Sequence, residues 1–180
     1  MIMAKKEKQM PHTVFLGLGS NLGDRENYLI SACRAITDME GFETIACSPV
    51  YISRAVEMDD TAPSFLNMVI KGQFQYTPLE LLTSVEKIEK QLGRKDKSDH
   101  QPRTIDIDIL LFGNEAFELK RLVVPHKKMT RRPFVLVPLL HIEPDLVHPL
   151  TKRPLSTYLK KKDRESLILY KEIGFNHVHS

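Results

Sequence analysis

The stretch RTIDIDILLFG, Arg103 to Gly113, sets two carboxylates, Asp106 and Asp108, into a run of isoleucine, leucine and phenylalanine. On a β-strand, Thr104, Asp106, Asp108, Leu110 and Phe112 would share one face, and Ile105, Ile107, Ile109 and Leu111 the other. Same-face neighbours stand about 7 Å apart, and two ionised carboxylates that close repel unless a cation or donors compensate. A hard divalent cation does so economically. Mg²⁺ takes one or two carboxylates together with waters and phosphate oxygens, and a metal pair about 3.5 to 4 Å apart can share such acids. The alternative is a pair of salt bridges to Arg103 or other basic neighbours on an exposed edge. Arg94, Lys95, Lys97 and Arg103 crowd cations into the segment just before the strand, a pattern suited to phosphates.

A second constellation is FLNMV, in which Phe65 and Asn67 point one way while Leu66, Met68 and Ile70 point the other. A ring to stack on and an amide to read an edge suit a flat heterocycle, although a core phenylalanine beside a satisfied amide has the same pattern. Neither a G-x-x-x-x-G-K-S/T loop nor a G-x-G-x-x-G turn is present; GLGSNLGD comes nearest, with Leu22 where the third glycine belongs. His177 and His179 lie near the C-terminus, and no histidine set has zinc spacing.

The elements that must position these residues follow from periodicity. TVFLGLG, 13 to 19, reads as a buried strand entering a turn. Asp24 caps a helix over 25 to 39 that closes at Gly41. FETIACSPVYIS forms a strand, and FLNMVIKGQFQY a strand bulged at Gly72. Thr77 then caps a helix carrying Pro78 in its first turn, with Leu79, Leu82, Val85, Ile88 and Leu92 on one stripe ending at Gly93. Strand, helix, strand, strand, helix, strand is the order of an α+β, ferredoxin-like split βαβ sandwich, an antiparallel sheet with helices on one face. Beyond Gly113 come Pro125, Pro133, Pro138, Pro144, Pro149 and Pro154, so a Pro-rich C-terminal extension of short helices and turns is expected.

The chain has 180 residues, 42% hydrophobic and 27% charged, enough for one core without staples. No apolar run approaches the roughly 18 residues that cross a bilayer, and MIMAKKEKQMPHT lacks the apolar core of a secretory signal. The expectation is a cytoplasmic protein, with Cys33 and Cys47 as reduced core residues. A net charge of +3 fits a polyanionic small molecule as well as nucleic acid.

With these segments in order, the chain resembles the 6-hydroxymethyl-7,8-dihydropterin pyrophosphokinase family. LGLGSNLGDRENYL, FLNMV, EKIEKQLGR, QPRTIDIDILLFG and LVVPHKKMTRRPFVLVPL carry the likeness, over roughly 13 to 150. The resemblance implies transfer of the terminal pyrophosphoryl group of ATP to the pterin's hydroxymethyl oxygen, giving AMP. It implies two Mg²⁺ ions on Asp106 and Asp108, with Arg94 and Arg103 as catalytic cations closing over the phosphates. Ser53, Val56, Phe65, Asn67 and Phe134 would hold the pterin; Glu89, Ile109, Arg121, His126, Lys127 and Arg132 would serve ATP. SRAVE, 53 to 57, departs from the family's usual Thr-x-Pro-Val-Gly; His100 stands where many members carry Trp, and Val123 where Thr is frequent. The implied organisation is a tail at 1 to 12, a pyrophosphokinase domain at 13 to 160 and a tail at 161 to 180. The expected enzyme is a monomer without nucleic-acid or membrane partners.

Two other classes stay in view. A two-metal nucleotidyl transferase or cyclase would explain the paired aspartates but not FLNMV or RRPF. An RNA-binding module on a similar sheet would need stacking aromatics on central strands, and the acids would repel a backbone.

Overall fold

A computed structural model describes residues 7–53, 64–94 and 103–172. Lys95, Lys97, His100, Val56, His177, His179 and most of SRAVE fall outside them.

Strand β1 (His12–Ser20) is the spine of a six-stranded sheet, followed by helix α1 (Arg25–Thr37), β2 (Phe42–Cys47), β3 (Val50–Ser53), β4 (Phe65–Phe74), helix α2 (Pro78–Gln91) and β5 (Asp106–Phe112). The chain continues through a small hairpin, β6 (Phe117–Glu118) and β7 (Val123–Val124), to helices α3 (Pro133–Ile142) and α4 (Lys161–Glu165) and strand β8 (Ile168–Lys171). The sheet runs β5-β1-β4-β3-β8, with β2 also on β4, and every pairing in it is antiparallel.

The caps read from sequence are present. Asp24 accepts the Asn27 N–H at 3.1 Å, and Thr77 and Glu80 form a reciprocal capping box ahead of Pro78. Gly41 and Gly93 take positive φ where the helices end, a conformation that glycine adopts without a Cβ penalty.

Several expectations are corrected. Gly17 and Gly19 lie within β1, which runs on to Ser20; they are not a turn. The extended segment 42 to 53 is two strands, broken at Ser48-Pro49, where the Ser48 hydroxyl takes the Val69 N–H at 2.9 Å in place of a ladder bond. The bulge lies in β2, between Thr44 and Ala46, not at Gly72 itself. Gly72 is fixed for another reason: a Cβ there would come within 2.4 Å of the Phe42 ring.

Helices cover both faces of the sheet, not one. α1 and α2 pack Leu29, Ile36, Leu81 and Val85 against Leu16, Met68, Ile107 and Ile109. On the opposite face, α3 packs Val135, Leu136 and Leu139 onto Phe15, Val69, Leu110 and Leu111. The proline-rich segment is thus a third layer with its own buried cluster. α3 runs straight through Pro138, which forfeits one backbone hydrogen bond in a helix buried along most of its length. Nor is 161 to 171 a tail, because β8 pairs with β3, while Lys171 and Tyr170 both bond Glu26 on α1. At the N-terminus, His12 already belongs to β1, and the Gln9 N–H reaches Gln75 O at 2.7 Å.

Candidate functional site

The expected faces of β5 hold through Asp108. Ile105, Ile107 and Ile109 enter the core beneath α1 and α2, while Asp106 and Asp108 emerge on the α3 side. Beyond that the alternation breaks. The register opposite β1 passes from Leu16↔Ile109 to Phe15↔Leu111, which leaves Leu110 as an extra residue. Leu111 therefore joins Leu110 under α3, and Phe112 turns to the isoleucine side, the reverse of the expectation for both.

A cleft of about 500 Å³ opens on the α3 face. Its floor is built from glycines: Gly17 pairs with Asp108 and Val69, and Gly19 with Asp106 and Asn67. Strands lie about 4.8 Å apart, so the acids of β5 and the Phe65–Asn67 segment of β4 flank a strip of β1 that carries no side chain. Glycine inside a strand costs entropy and packing, and it commonly marks close approach by a ligand or another backbone.

The acid end is tightly organised. Asp106 receives Arg94 on Oδ1 at 2.5 Å and Arg103 on Oδ2 at 2.8 Å. Arg94 also pairs with Glu89, which is buried and takes the Ile107 N–H at 2.8 Å. Burial opposes the Arg94 charge, but Asp106 and Glu89 more than offset it and hold the guanidinium protonated. Asn21, also buried, takes the Arg103 N–H at 2.8 Å and returns its own N–H to Arg103 O at 3.2 Å. That bracket fixes where the chain re-enters β5.

Asp108 differs from Asp106. Burial, and then the charge of Asp106, push its carboxyl pKa up, against the pull of His126, Arg132 and Arg94. His126 Nε2 lies 3.7 Å from Asp108 Oδ2, and Arg132 Nη1 lies 3.4 Å from the same oxygen. Burial pulls the His126 pKa down despite Asp108, which favours the neutral imidazole at neutral pH.

The opposite wall carries Ser53, Phe65 and Asn67 with Phe134 from the start of α3. Asn67 donates from Nδ2 to Ser53 Oγ at 2.8 Å, and Arg132 stacks over the Phe134 ring with 5.6 Å to its centroid.

Of the residues singled out by sequence, Ser53, Phe65, Asn67, Arg103, Asp106, Asp108, Arg132 and Phe134 line the cleft. Arg94, Glu89 and His126 stand behind it through the contacts just given. Ile109 has its side chain in the core, so only its peptide groups could meet a ligand. Arg121 and Lys127 are not in the cleft: Arg121 bonds Glu86 on α2 at 2.6 Å, and Lys127 bonds Glu118 at 2.5 Å. Sequence reading missed Gly17, Gly19, Lys128 and Arg131, all of which line the cleft. The cation run KKMTRR was visible, but its inward members were set by a 3-10 turn, Met129–Arg131, that buries Met129.

Among the described residues no three His, Cys, Asp or Glu side chains form a metal cage. What Asp106 and Asp108 offer is a pair of hard oxygen donors, with the Asp108 carboxyl pKa pushed up first by burial and then by the neighbouring Asp106 charge. That set fits a cation which completes its shell with water and phosphate oxygens.

Residues 15–144 match the profile of 7,8-dihydro-6-hydroxymethylpterin-pyrophosphokinases. The chain is 42% identical over 146 residues to the 2-amino-4-hydroxy-6-hydroxymethyldihydropteridine pyrophosphokinase of Aquifex aeolicus, covering 81% of this chain and 89% of that protein. Identity to the Bacillus subtilis enzyme of the same name is 40% over 133 residues, covering 74% and 79%. Among solved structures, the Plasmodium falciparum HPPK-DHPS chain with pterin and p-hydroxybenzoate superposes with a TM-score of 0.64 at 16% identity, over 85% of this chain and 43% of that one. This chain spans less than half of that longer protein, and the likeness speaks to the fold.

Proposed function

The chain belongs to the 7,8-dihydro-6-hydroxymethylpterin-pyrophosphokinase family, and from that premise we propose how its cleft carries out the family's reaction. The protein transfers the terminal diphosphate of ATP to 6-hydroxymethyl-7,8-dihydropterin, giving AMP and the pterin diphosphate, a step of folate biosynthesis.

In this reading the triphosphate lies over Asp106 and Asp108, and the pterin ring lies between Phe65 and Phe134 with its edge on Asn67. The hydroxymethyl oxygen attacks the β-phosphorus as the bond from that phosphorus to the α,β-bridging oxygen breaks. AMP leaves with that oxygen, and the hydroxyl proton passes to solvent. Such transfers depend chiefly on in-line positioning and on neutralising charge around phosphorus, so no strong base is needed. The single observation that carries the assignment is the row Asp106, Gly19, Asn67, which sets phosphate-handling acids and a ring-reading amide two strands apart over an open floor.

Asp106 and Asp108 would hold Mg²⁺, two ions in our reading, which when bound would neutralise the polyphosphate and fix its oxygens. Arg103 and Arg94, now on Asp106, are close enough to the acids to transfer to phosphate oxygens as those arrive. Arg132, with Lys128 and Arg131, adds positive charge on the α3 side. Glu89 would act through Arg94 and Ile107. By the two-residue period, the Ile109 peptide faces the edge of β5 away from β1, as the Glu89-bound Ile107 N–H does, and a nucleotide base could pair there. The His126 N–H reaches Leu110 O of β5 at 3.0 Å, and Arg121 and Lys127 would serve the nucleotide once released from Glu86 and Glu118. Val56 would complete the pterin side.

Helices α1 and α2 crossing from β1 and β4 support the ferredoxin-like reading, with β1 through β8 as one catalytic domain and the proline-rich segment as its third layer. We read the enzyme as a monomer, and the unpaired Cys33 and Cys47 support a cytoplasmic setting. No described helix is long and apolar enough to cross a membrane.

The test is to incubate protein, ATP, Mg²⁺ and the reduced pterin and to follow products by phosphorus NMR. AMP and pterin diphosphate are expected; ADP, a cyclic nucleotide or no turnover would overturn the reading.

A further inference from the structure

Phe65 is the first residue of β4, and its pairing with Ser53 is the last described rung between β3 and β4. A terminal rung is where a ladder opens most readily. The residue before it, Ser64, is held from elsewhere. Arg25, the first residue of α1, donates from Nη1 to Ser64 O at 2.6 Å and to Ser64 Oγ at 2.9 Å. A guanidinium has only donors, so the direction of both bonds is fixed. Its platform is fixed as well: Asp24 caps α1, and Leu29, Ala32, Cys33 and Ile36 bury the helix on the face of the sheet opposite the cleft. Arg25 is not among the residues lining the cleft, whereas Phe65 is, with its Cδ1 3.9 Å from a Cβ placed at Gly19.

We propose that Arg25 is a positioning residue which, through Ser64, pins the start of β4 and with it the place of the Phe65 ring over the glycine floor. The inference rests on the reading of Phe65 as a face for the pterin ring. Such a face has to be held within about 0.5 Å of its productive place, and a backbone free to open at the first residue of its strand does not do this. The stacking face meets bound substrate and transition state alike, so loosening it removes uniform binding: KM rises while kcat stays.

The test compares wild type with Arg25→Met, Arg25→Lys and Glu26→Ala. Arg25→Met keeps the length of the side chain and removes its donors. It is expected to raise KM for the reduced pterin about tenfold, with kcat and KM for ATP within about twofold of wild type. Arg25→Lys keeps a charged donor and should recover most of that loss. Glu26, the next residue of α1, instead holds Tyr170 and Lys171 of β8. Glu26→Ala should therefore lower the melting temperature and leave the pterin KM unchanged, which separates the Ser64 contact from a general loosening of α1. Equilibrium titration of ring fluorescence gives the same comparison without turnover, so a wild type that binds the ring but transfers no diphosphate would count against the functional reading and still judge Arg25. Amide exchange at residues 64–66 of the ligand-free proteins, expected to be about tenfold faster in Arg25→Met, judges the anchor whatever the ring site binds. Unchanged pterin affinity or unchanged exchange in a folded Arg25→Met protein, an equal rise in pterin KM in Glu26→Ala, or a rise in KM for ATP in place of that for the pterin would overturn the proposal.

Discussion

Asp106 and Asn67 stand in register on the two strands that flank β1, separated at that level by Gly19, which contributes no side chain. Gly19→Ala would place its Cβ 3.4 Å from Asn67 Oδ1, an ordinary contact that the fold can accept but that stands in the floor of the cleft. Stability should be unchanged or higher by up to about 1 kcal/mol, since glycine is a poor strand residue. Turnover should fall in the order Gly, Ala, Val, reaching about 100-fold for Gly19→Val by displacing bound groups. Thermal melts and steady-state kinetics on the same preparations check the opposed signs.

Asp108→Asn should separate stability from activity in a pH-dependent way. The folded-state pKa of Asp108 is raised, so its contribution to stability is full below the ordinary carboxylate value of 3.8 and is lost as pH rises through the raised value. At neutral pH the asparagine variant, free of that penalty, should melt higher than wild type in metal-free buffer, with the advantage fading as pH falls toward 4. Diphosphate transfer should be largely lost. Melting curves across pH that show no gain at neutral pH would reject the argument that burial, with the Asp106 charge, penalises the ionised Asp108 carboxylate.

His126 gives the reciprocal signature. Its pKa is lowered, so the stability tied to its neutral form is present above 6.5 and lost as pH falls through the lowered value. Histidine resonances should show His126 titrating below 6.5 in wild type, and lower still in Asp108→Asn, because the carboxylate 3.7 Å away favours the charged ring.

Glu89 supports the site from beneath. Glu89→Ala removes the acceptor for the Ile107 N–H and a partner of Arg94, and should cost about 3–5 kcal/mol in denaturant unfolding, as breaking a buried ion pair does. Glu89→Gln keeps an acceptor and the side-chain volume, and should cost less. Equal losses for the two would mean that the charge of Glu89, not its packing or its acceptor oxygen, fixes Arg94.

Much of this was legible from sequence because it is local and periodic. The caps at Asp24 and Thr77, the outward aspartates and the Phe65–Asn67 face need only the period of an element and the residue that starts it. What escaped depends on partners distant in the chain. The extra residue at Leu110, which reverses Leu111 and Phe112, arises from pairing with β1. Gly17 and Gly19 resemble turn glycines until β4 and β5 close on either side of them. Pro138 within α3 and the edge strand β8 are tolerated because the sheet offers each a surface. The choice of Lys128 over Lys127 rests on a 3-10 turn pinned by Met129, which no periodicity announces. Of the residues the family resemblance implies, eight line the cleft, while Arg121, Lys127 and the Ile109 side chain lie outside it.

The central claim is that the hydroxymethyl oxygen of the pterin attacks the β-phosphorus of ATP in this cleft. Supplying the pterin with oxygen-18 in its hydroxymethyl group and reading the products by phosphorus NMR tests it directly. The label is predicted to bridge carbon and phosphorus in the pterin diphosphate, with none in AMP, and Asp106→Ala should abolish the signal. Label in AMP, ADP as the nucleotide product, or a near-normal rate in Asp106→Ala would contradict it.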